Sequence, residues 1–309
     1  MTMRYTGPIL DAHHHLWDLK LEKHPWLVPQ PGRRKVFGDP TPLYRDYLPD
    51  DLERDAAGLH LVGSVHIEAS WDRSDPVGET RWIAGLKQRH RLPTVAVVRA
   101  PLDDPGVGAI LEAQRAFDFV RGVRFILSWH EDPEKRFVER ADYMTDSRWL
   151  AGFALLREFG LSFDMLIYPG QLGDAADLAD RFPDTTIIVN HAGSPVDRDA
   201  VAMDHWRRGL KELAKRPNVR LKISDLCAYD HDWTLESLRP VVLDCLDAFG
   251  LGRAMFASDF PVAGLHAGYA QMYDAFADIV QDLTAEEQRA LFHDNAVRDY
   301  RIDKTDSRP

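Results

Sequence analysis

Two histidines one residue apart, His13 and His15, close the segment PILDAHHH near the start of the chain. On a β-strand, residues i and i+2 face the same way. Two imidazoles so spaced can address one substrate oxygen or share one metal ion, while His14 between them points to the other side. Other short β-rich runs also end in polar groups. VGSVHIEA carries His66 and Glu68. VRGVRFIL carries Arg124 and leads into Ser128, Trp129 and His130. SFDMLI carries Asp164, TTIIVNH ends in Asn190 and His191, VRLKIS carries Lys222 and Ser224, and AMFASD ends in Asp259. Uncompensated burial of such groups costs several kcal/mol, so their recurrence at equivalent strand ends marks a site. Taken singly, each has a plainer reading. Asp259 is either a turn residue before Pro261 or a carboxylate that takes a proton from water or binds a metal. His191 is a packed core imidazole or a member of the site. Arg124 is a structural ion-pair partner or an inward guanidinium suited to a carboxylate or carbonyl oxygen. Glu68 and Lys222 admit both kinds of reading. No G-x-S-x-G elbow, HExxH, P-loop or paired-cysteine zinc motif occurs, which removes the corresponding chemistries.

The elements that must position these residues alternate. Strands are predicted over 8–15, 62–69, 93–98, 120–127, 162–167, 185–191, 219–224 and 254–259. Helices are predicted over 79–91, 104–117, 147–159, 171–183, 199–215 and 234–249, with a last one opening at the capping box Thr284–Glu287. Several strands are near-continuous apolar runs, as expected of strands covered on both faces. Parallel strands need long crossovers, and eight strand–helix repeats fit a closed (β/α)8 barrel, α/β in class and of TIM type, better than an open sheet. In such a barrel the strand C-termini form one mouth, and the polar residues above gather there. No glycine fingerprint follows a strand, so nothing supports a nucleotide or organic cofactor. The Pro-rich stretch 25–49 carries Trp26, Phe37, Tyr44 and Tyr47, too many large apolar groups for a solvated linker. The segment 18–50 is therefore expected to pack over the barrel mouth as a cover.

Composition narrows the partners. The 309 residues are read as one domain, 1–309. With 38 Lys+Arg against 49 Asp+Glu the net charge is −11, a poor match to nucleic acid or anionic membrane. No apolar run is long enough for a membrane helix and the first residues lack a secretory apolar core. Cys227 and Cys245 form no CxxC and read as buried thiols of a reducing cytoplasm. A small-molecule substrate and a monomer or homodimer are the expectation.

The ordered set DAHHHLWD, HPWL, YLPDDL, GVRFIL, FDMLI, VNHAG, KISDL, FASDFPV and HDNAVRDYRI resembles the amidohydrolase superfamily, in particular the amidohydrolase-2 branch with its sugar-lactone and muconolactone-type lactonases. The resemblance runs from about Ile9 to Tyr300. It implies a (β/α)8 barrel and hydrolysis, with His13, His15, His191 and Asp259 as catalytic residues and Arg124 at the substrate. The pattern departs from binuclear members: Arg124 is a cation and cannot bridge two metals, and Asp164 stands where a histidine ligand is wanted. The cofactor expectation is therefore either none or a single zinc held by His13, His15 and Asp259. The resulting reading is opening of a small lactone to its hydroxy acid in carbohydrate catabolism. Asp259 assists water, the histidines polarise the carbonyl, and Arg124, Glu68, Trp129, His130 and Lys222 contact substrate. The alternative within the same branch is a zinc-dependent non-oxidative decarboxylase or hydratase acting on a small aromatic or enoic acid.

Overall fold

The structure is a computed structural model that describes residues 5–30 and 35–303. Its sheet has eight strands, all parallel and in sequential order: β1 (Ile9–His14), β2 (Leu61–Ile67), β3 (Val95–Arg99), β4 (Val120–Ile126), β5 (Ser162–Leu166), β6 (Ile187–Val189), β7 (Val219–Ile223) and β8 (Ala254–Phe256). Just beyond β8 the chain meets β1. Asp259 N–H donates to the His13 carbonyl at 2.7 Å, and His15 N–H donates to the Phe260 carbonyl at 2.7 Å. These bonds bring the two edges together, giving the expected (β/α)8 barrel.

All eight predicted strands occur. The last residues of the predicted sixth and eighth strands, Asn190–His191 and Ala257–Asp259, lie beyond the ladder in the loops that build the mouth. The helices between strands are α2 (Gly78–Lys87), α3 (Val107–Arg115), α4 (Ser147–Glu158), α5 (Leu172–Arg181), α6 (Ala200–Leu213) and α7 (Leu235–Phe249), preceded by α1 (Pro49–Asp55). Asp146 and Asp199 cap α4 and α6 by accepting backbone N–H groups, and Thr284 caps α9 (Ala285–Arg289). Two helices were not expected from the sequence: α1 and the long α8 (Tyr269–Ile279), which completes the outer ring. The spacing of α8 is hidden because most of its length is apolar: Tyr269, Met272, Tyr273, Phe276 and Ile279 are all buried, together with Ala275 and Ala277.

Side chains alternate across the barrel wall. Leu10, Ala12, Val65, Ile67, Val95, Val97, Ile188 and Met255 fill the interior, and the intervening residues pack outward against helices. The C-terminal α10 (Asn295–Asp299) closes the end opposite the mouth. Asn295 Nδ2 donates to the Leu251 and Ala254 carbonyls, each at 2.7 Å, and Tyr300 enters the barrel interior. The HDNAVRDYRI segment is thus a plug for the barrel floor.

The long connection after β1 is packed, as its aromatics require. Trp17 and Tyr47 pair through two backbone hydrogen bonds of 2.9 Å, pinning both ends of the excursion. Leu27, Phe37, Leu43 and Tyr47 are buried. Residues 31–34 of this stretch lie outside the described set.

Candidate active site

The first histidine pair depends on an irregularity in β1. Regular alternation from the interior residues Leu10 and Ala12 would turn His14 inward. Instead the β1–β2 register shifts between Asp11 and His14, and the facing reverses. His13 and His15 point into the mouth. His14 points out, where its Nε2 lies 2.9 Å from Ser64 Oγ. Asp11 fixes the neighbouring strand end from behind: its carboxylate accepts from Ser258 N at 2.9 Å, Ser258 Oγ at 2.6 Å and Tyr269 Oη at 3.0 Å.

Asp259 stands at the centre. Its Oδ1 lies 3.0 Å from His13 Nε2, 3.1 Å from His15 Nε2 and 3.9 Å from His191 Nε2. Asp259 itself holds φ +60°, and His191, Ala192, Gly193 and Ser194 form a run of left-handed residues that turns His191 into the mouth. Such conformations are unfavourable for non-glycine residues and persist only where surroundings impose them. Here Trp206 Nε1 donates to the Ala192 carbonyl at 2.7 Å, and Ser224 Oγ lies 2.9 Å from His191 Nδ1.

Burial by itself would raise the Asp259 carboxyl, but the His191 and His13 rings and the hydrogen bonds from His13 and His15 hold it well below the usual carboxylate range. Burial pushes His13 well down, with Lys222 acting in the same direction. Burial lowers His191 to about 4. The group at the centre is therefore an ionised carboxylate beside the lowered His13 and His191 imidazoles, the form needed to accept a proton.

The donors that converge tightly are one atom each from His13, His191 and Asp259, all within 4.8 Å of one another. Relative to the expected zinc set, His191 takes the place of His15. Two imidazole nitrogens and a carboxylate are a donor set that zinc accepts. His15 adds a second indication. Its Nδ1 lies 2.7 Å from the Ile67 carbonyl and its Nε2 faces Asp259, so both ring nitrogens meet oxygen acceptors. That environment suits an imidazole whose Nε2 faces a cation. The residues fit one metal ion.

The remaining expected contacts are distributed differently. Arg124 Nε donates to Glu68 Oε1 at 2.8 Å, its Nη2 lies 2.8 Å from the same oxygen, and Nη2 also donates to the Glu68 carbonyl. Ser70 N–H occupies Glu68 Oε2 at 2.9 Å. Glu68 and Arg124 are thus a buried pair at the rim of the site. Lys222 is wholly buried on the floor. Its Nζ donates to Asp164 Oδ1 at 2.5 Å and lies 3.4 Å from His13 Nδ1. Asp164 also accepts from Asn190 Nδ2 at 3.0 Å and from Tyr300 Oη at 2.9 Å. His130 stands in the loop after β4, 3.0 Å from Asp197 Oδ2, and Trp129 beside it packs under the Arg136 guanidinium.

Asp225 is a site residue that sequence reasoning missed. It follows β7 with φ +50°, is buried, and places its carboxyl against Asp259, with Oδ1 lacking any hydrogen-bond partner among the described residues. Burial and then the Asp259 charge push this carboxyl well above its ordinary range. Its only sequence signal is its position directly after the Ser224 strand end.

The mouth is covered. Phe37 stacks on Phe137 from the β4 loop, and its carbonyl lies 2.8 Å from His266 Nε2 in the β8 loop. His266 in turn stacks on His231 from the β7 loop, centroids 4.0 Å apart, and His231 Nε2 lies 3.1 Å from the Val36 carbonyl. A cavity of about 720 Å³ lies between the 42–55 segment and the start of α8, sharing His266 with the cover, and carries none of the converging imidazoles.

A parallel eight-stranded barrel with imidazoles and aspartates gathered at its strand C-termini defines an amidohydrolase-type enzyme. The Amidohydro_2 family model, described as amidohydrolase, matches residues 10–302, and the chain belongs to that family. It is 38% identical over 294 residues to the uncharacterized protein y4mH of Sinorhizobium fredii, covering 95% of this chain and 98% of that protein. It is 29% identical over 307 residues to an L-fucono-1,5-lactonase of Burkholderia multivorans, covering 95% and 96%. A crystal structure of a Burkholderia multivorans amidohydrolase with bound zinc superposes with a TM-score of 0.81 at 26% identity, covering 96% of this chain and all of that one.

Proposed function

We propose that this enzyme opens a small lactone, of the sugar-lactone or muconolactone type, to its hydroxy acid. The observation that carries the reading is the ionised Asp259 carboxylate held at 3.0 and 3.1 Å by His13 and His15 beneath a covered mouth. Likeness to proteins named as lactonases supports it. Water attacks the ring carbonyl while its proton passes to Asp259. The carbonyl electrons move onto oxygen, where the His13, His15 and His191 imidazoles stabilise the oxyanion. Collapse breaks the ring C–O bond, and Asp259 returns the proton to the departing alkoxide. His13, His191 and Asp259 would hold a metal ion, which would supply Lewis-acid polarisation and a more acidic water. Lys222 and Ser224 orient His13 and His191. Arg124, braced by Glu68, presents its remaining guanidinium face to the substrate, and Trp129 and His130 form part of the rim.

The test is proton release, read with a pH indicator, across a panel of aldonolactones and muconolactones. It is run on the protein as purified, after chelation, and after zinc is restored. Turnover of at least one lactone is expected in one of these states. No turnover in any of them, together with release of carbon dioxide from an aromatic acid, overturns the reading.

A further inference from the structure

Arg99 is the last residue of β3, and its place in the strand sets its direction. Val95 and Val97 point into the barrel while Ala96 and Val98 pack outward, so Arg99 points inward, one step above Val97 at the mouth. It pairs in register with Arg124 on β4, which puts the two side chains next to each other. Glu68 lies close enough that both guanidinium charges act on its carboxyl. The hydrogen bonds, however, are unequally shared. Arg124 holds one Glu68 oxygen and Ser70 N–H the other. Among the described residues, the Arg99 guanidinium makes no hydrogen bond and no ion pair. Two cations and one carboxylate leave one positive charge at this rim. A guanidinium has five N–H donors in a planar fork that matches a carboxylate, and a half-buried one pairs strongly with an anion brought to it.

We infer that Arg99 is a specificity-determining residue that binds a carboxylate carried by the substrate on the part remote from the reacting carbonyl. This rests on the lactonase reading only for the identity of the reacting group. Around the closed ring β3 stands two strands from β1 and three from β8, whose junction holds Asp259, so Arg99 and Asp259 face the mouth from separate sides. A ligand anchored at Arg99 thus reaches Asp259 with its opposite end. The substrate class is then an acidic lactone, with a neutral polyhydroxy lactone the poorer substrate. Glu68 neutralises Arg124, so the anion is drawn to Arg99.

Two matched pairs of compounds test this on the full chain. The first pair is γ-carboxy-γ-butyrolactone and its carboxamide, followed by proton release. The second is tetrahydrofuroate and its carboxamide, which have no lactone to hydrolyse, followed by ligand-observed NMR titration. Each is measured on wild type, Arg99→Met and Arg99→Lys, with circular dichroism as the fold control. Arg99→Met is expected to reduce the preference for the acid over the amide by about 100-fold in kcat/KM and to abolish it in binding, with Arg99→Lys intermediate. Equal losses on acid and amide, or tetrahydrofuroate binding that ignores Arg99, overturn the inference while leaving lactone hydrolysis intact. Absence of lactone turnover with Arg99-dependent tetrahydrofuroate binding removes the lactonase reading and upholds the anion site.

Discussion

Replacing Lys222 by methionine takes one charge out of a fully buried pair and leaves its partner behind. The Lys222–Asp164 contact is 2.5 Å with both side chains inaccessible to solvent. Removing one partner of such a pair typically costs about 3–5 kcal/mol, because the remaining charge has neither water nor counter-ion. Asp164 retains Tyr300 Oη at 2.9 and 3.1 Å and Asn190 Nδ2 at 3.0 Å. These donors place Lys222→Met at the lower end, about 3 kcal/mol, or roughly 6 °C in Tm. In the double variant with Asp164→Asn no charge remains, so its loss should be smaller than the sum of the two singles by about 2 kcal/mol or more. Urea denaturation of the four proteins at pH 7 completes the cycle. The same change reaches the site. Lys222 is, after burial, the strongest influence holding His13 down, so its removal raises the His13 pKa and moves the acid limb of activity to higher pH. Additive single losses below about 1 kcal/mol each, with an unmoved acid limb, would refute the reasoning.

The two aspartates at the centre should respond in opposite ways. Asp259→Asn removes the ionised acceptor and is expected to lower kcat by about 1,000-fold or more with little change in circular dichroism, whereas Asp225→Asn replaces a carboxyl whose charged form burial and Asp259 already disfavour and should keep kcat within about tenfold. Equal sensitivity of the two would contradict the assignment. In the wild type, His191 shares the acid limb of kcat/KM with His13, its own step lying near 4 because burial lowers it there from the ordinary imidazole value. Since the folded state binds this proton less readily than the unfolded chain, the stability from His191 is fully present above about 6.5 and is lost as pH falls through about 4. A limb centred at 6.5 would show that His191 is not held neutral by its surroundings.

Much of this was legible in the chain. Apolar strand runs and helical spacing are local signals, and eight of them in alternation specify a barrel, because parallel strands need crossovers. Polar residues at strand ends could be seen as a mouth for the same reason. His13, His15, His191 and Asp259 do meet there. What stayed hidden depends on which atoms face each other. Arg124 and Glu68 read as two separate substrate contacts, but they neutralise one another, and no spacing rule pairs residues 56 positions apart. Asp225 is inconspicuous in KISDL until a left-handed backbone residue turns it toward Asp259. Arg99 looks like an ordinary strand terminus until the neighbouring Glu68 is seen to be held by Arg124 and Ser70. α8 is apolar over most of its length, and only its place in the ring distinguishes it as a helix. Sequence by itself determined the fold and the kinds of group at the mouth, since both follow from local periodicity and burial. Only the tertiary structure decided the charge pairing, because long-range contacts fix which groups neutralise each other and which remain open to a ligand.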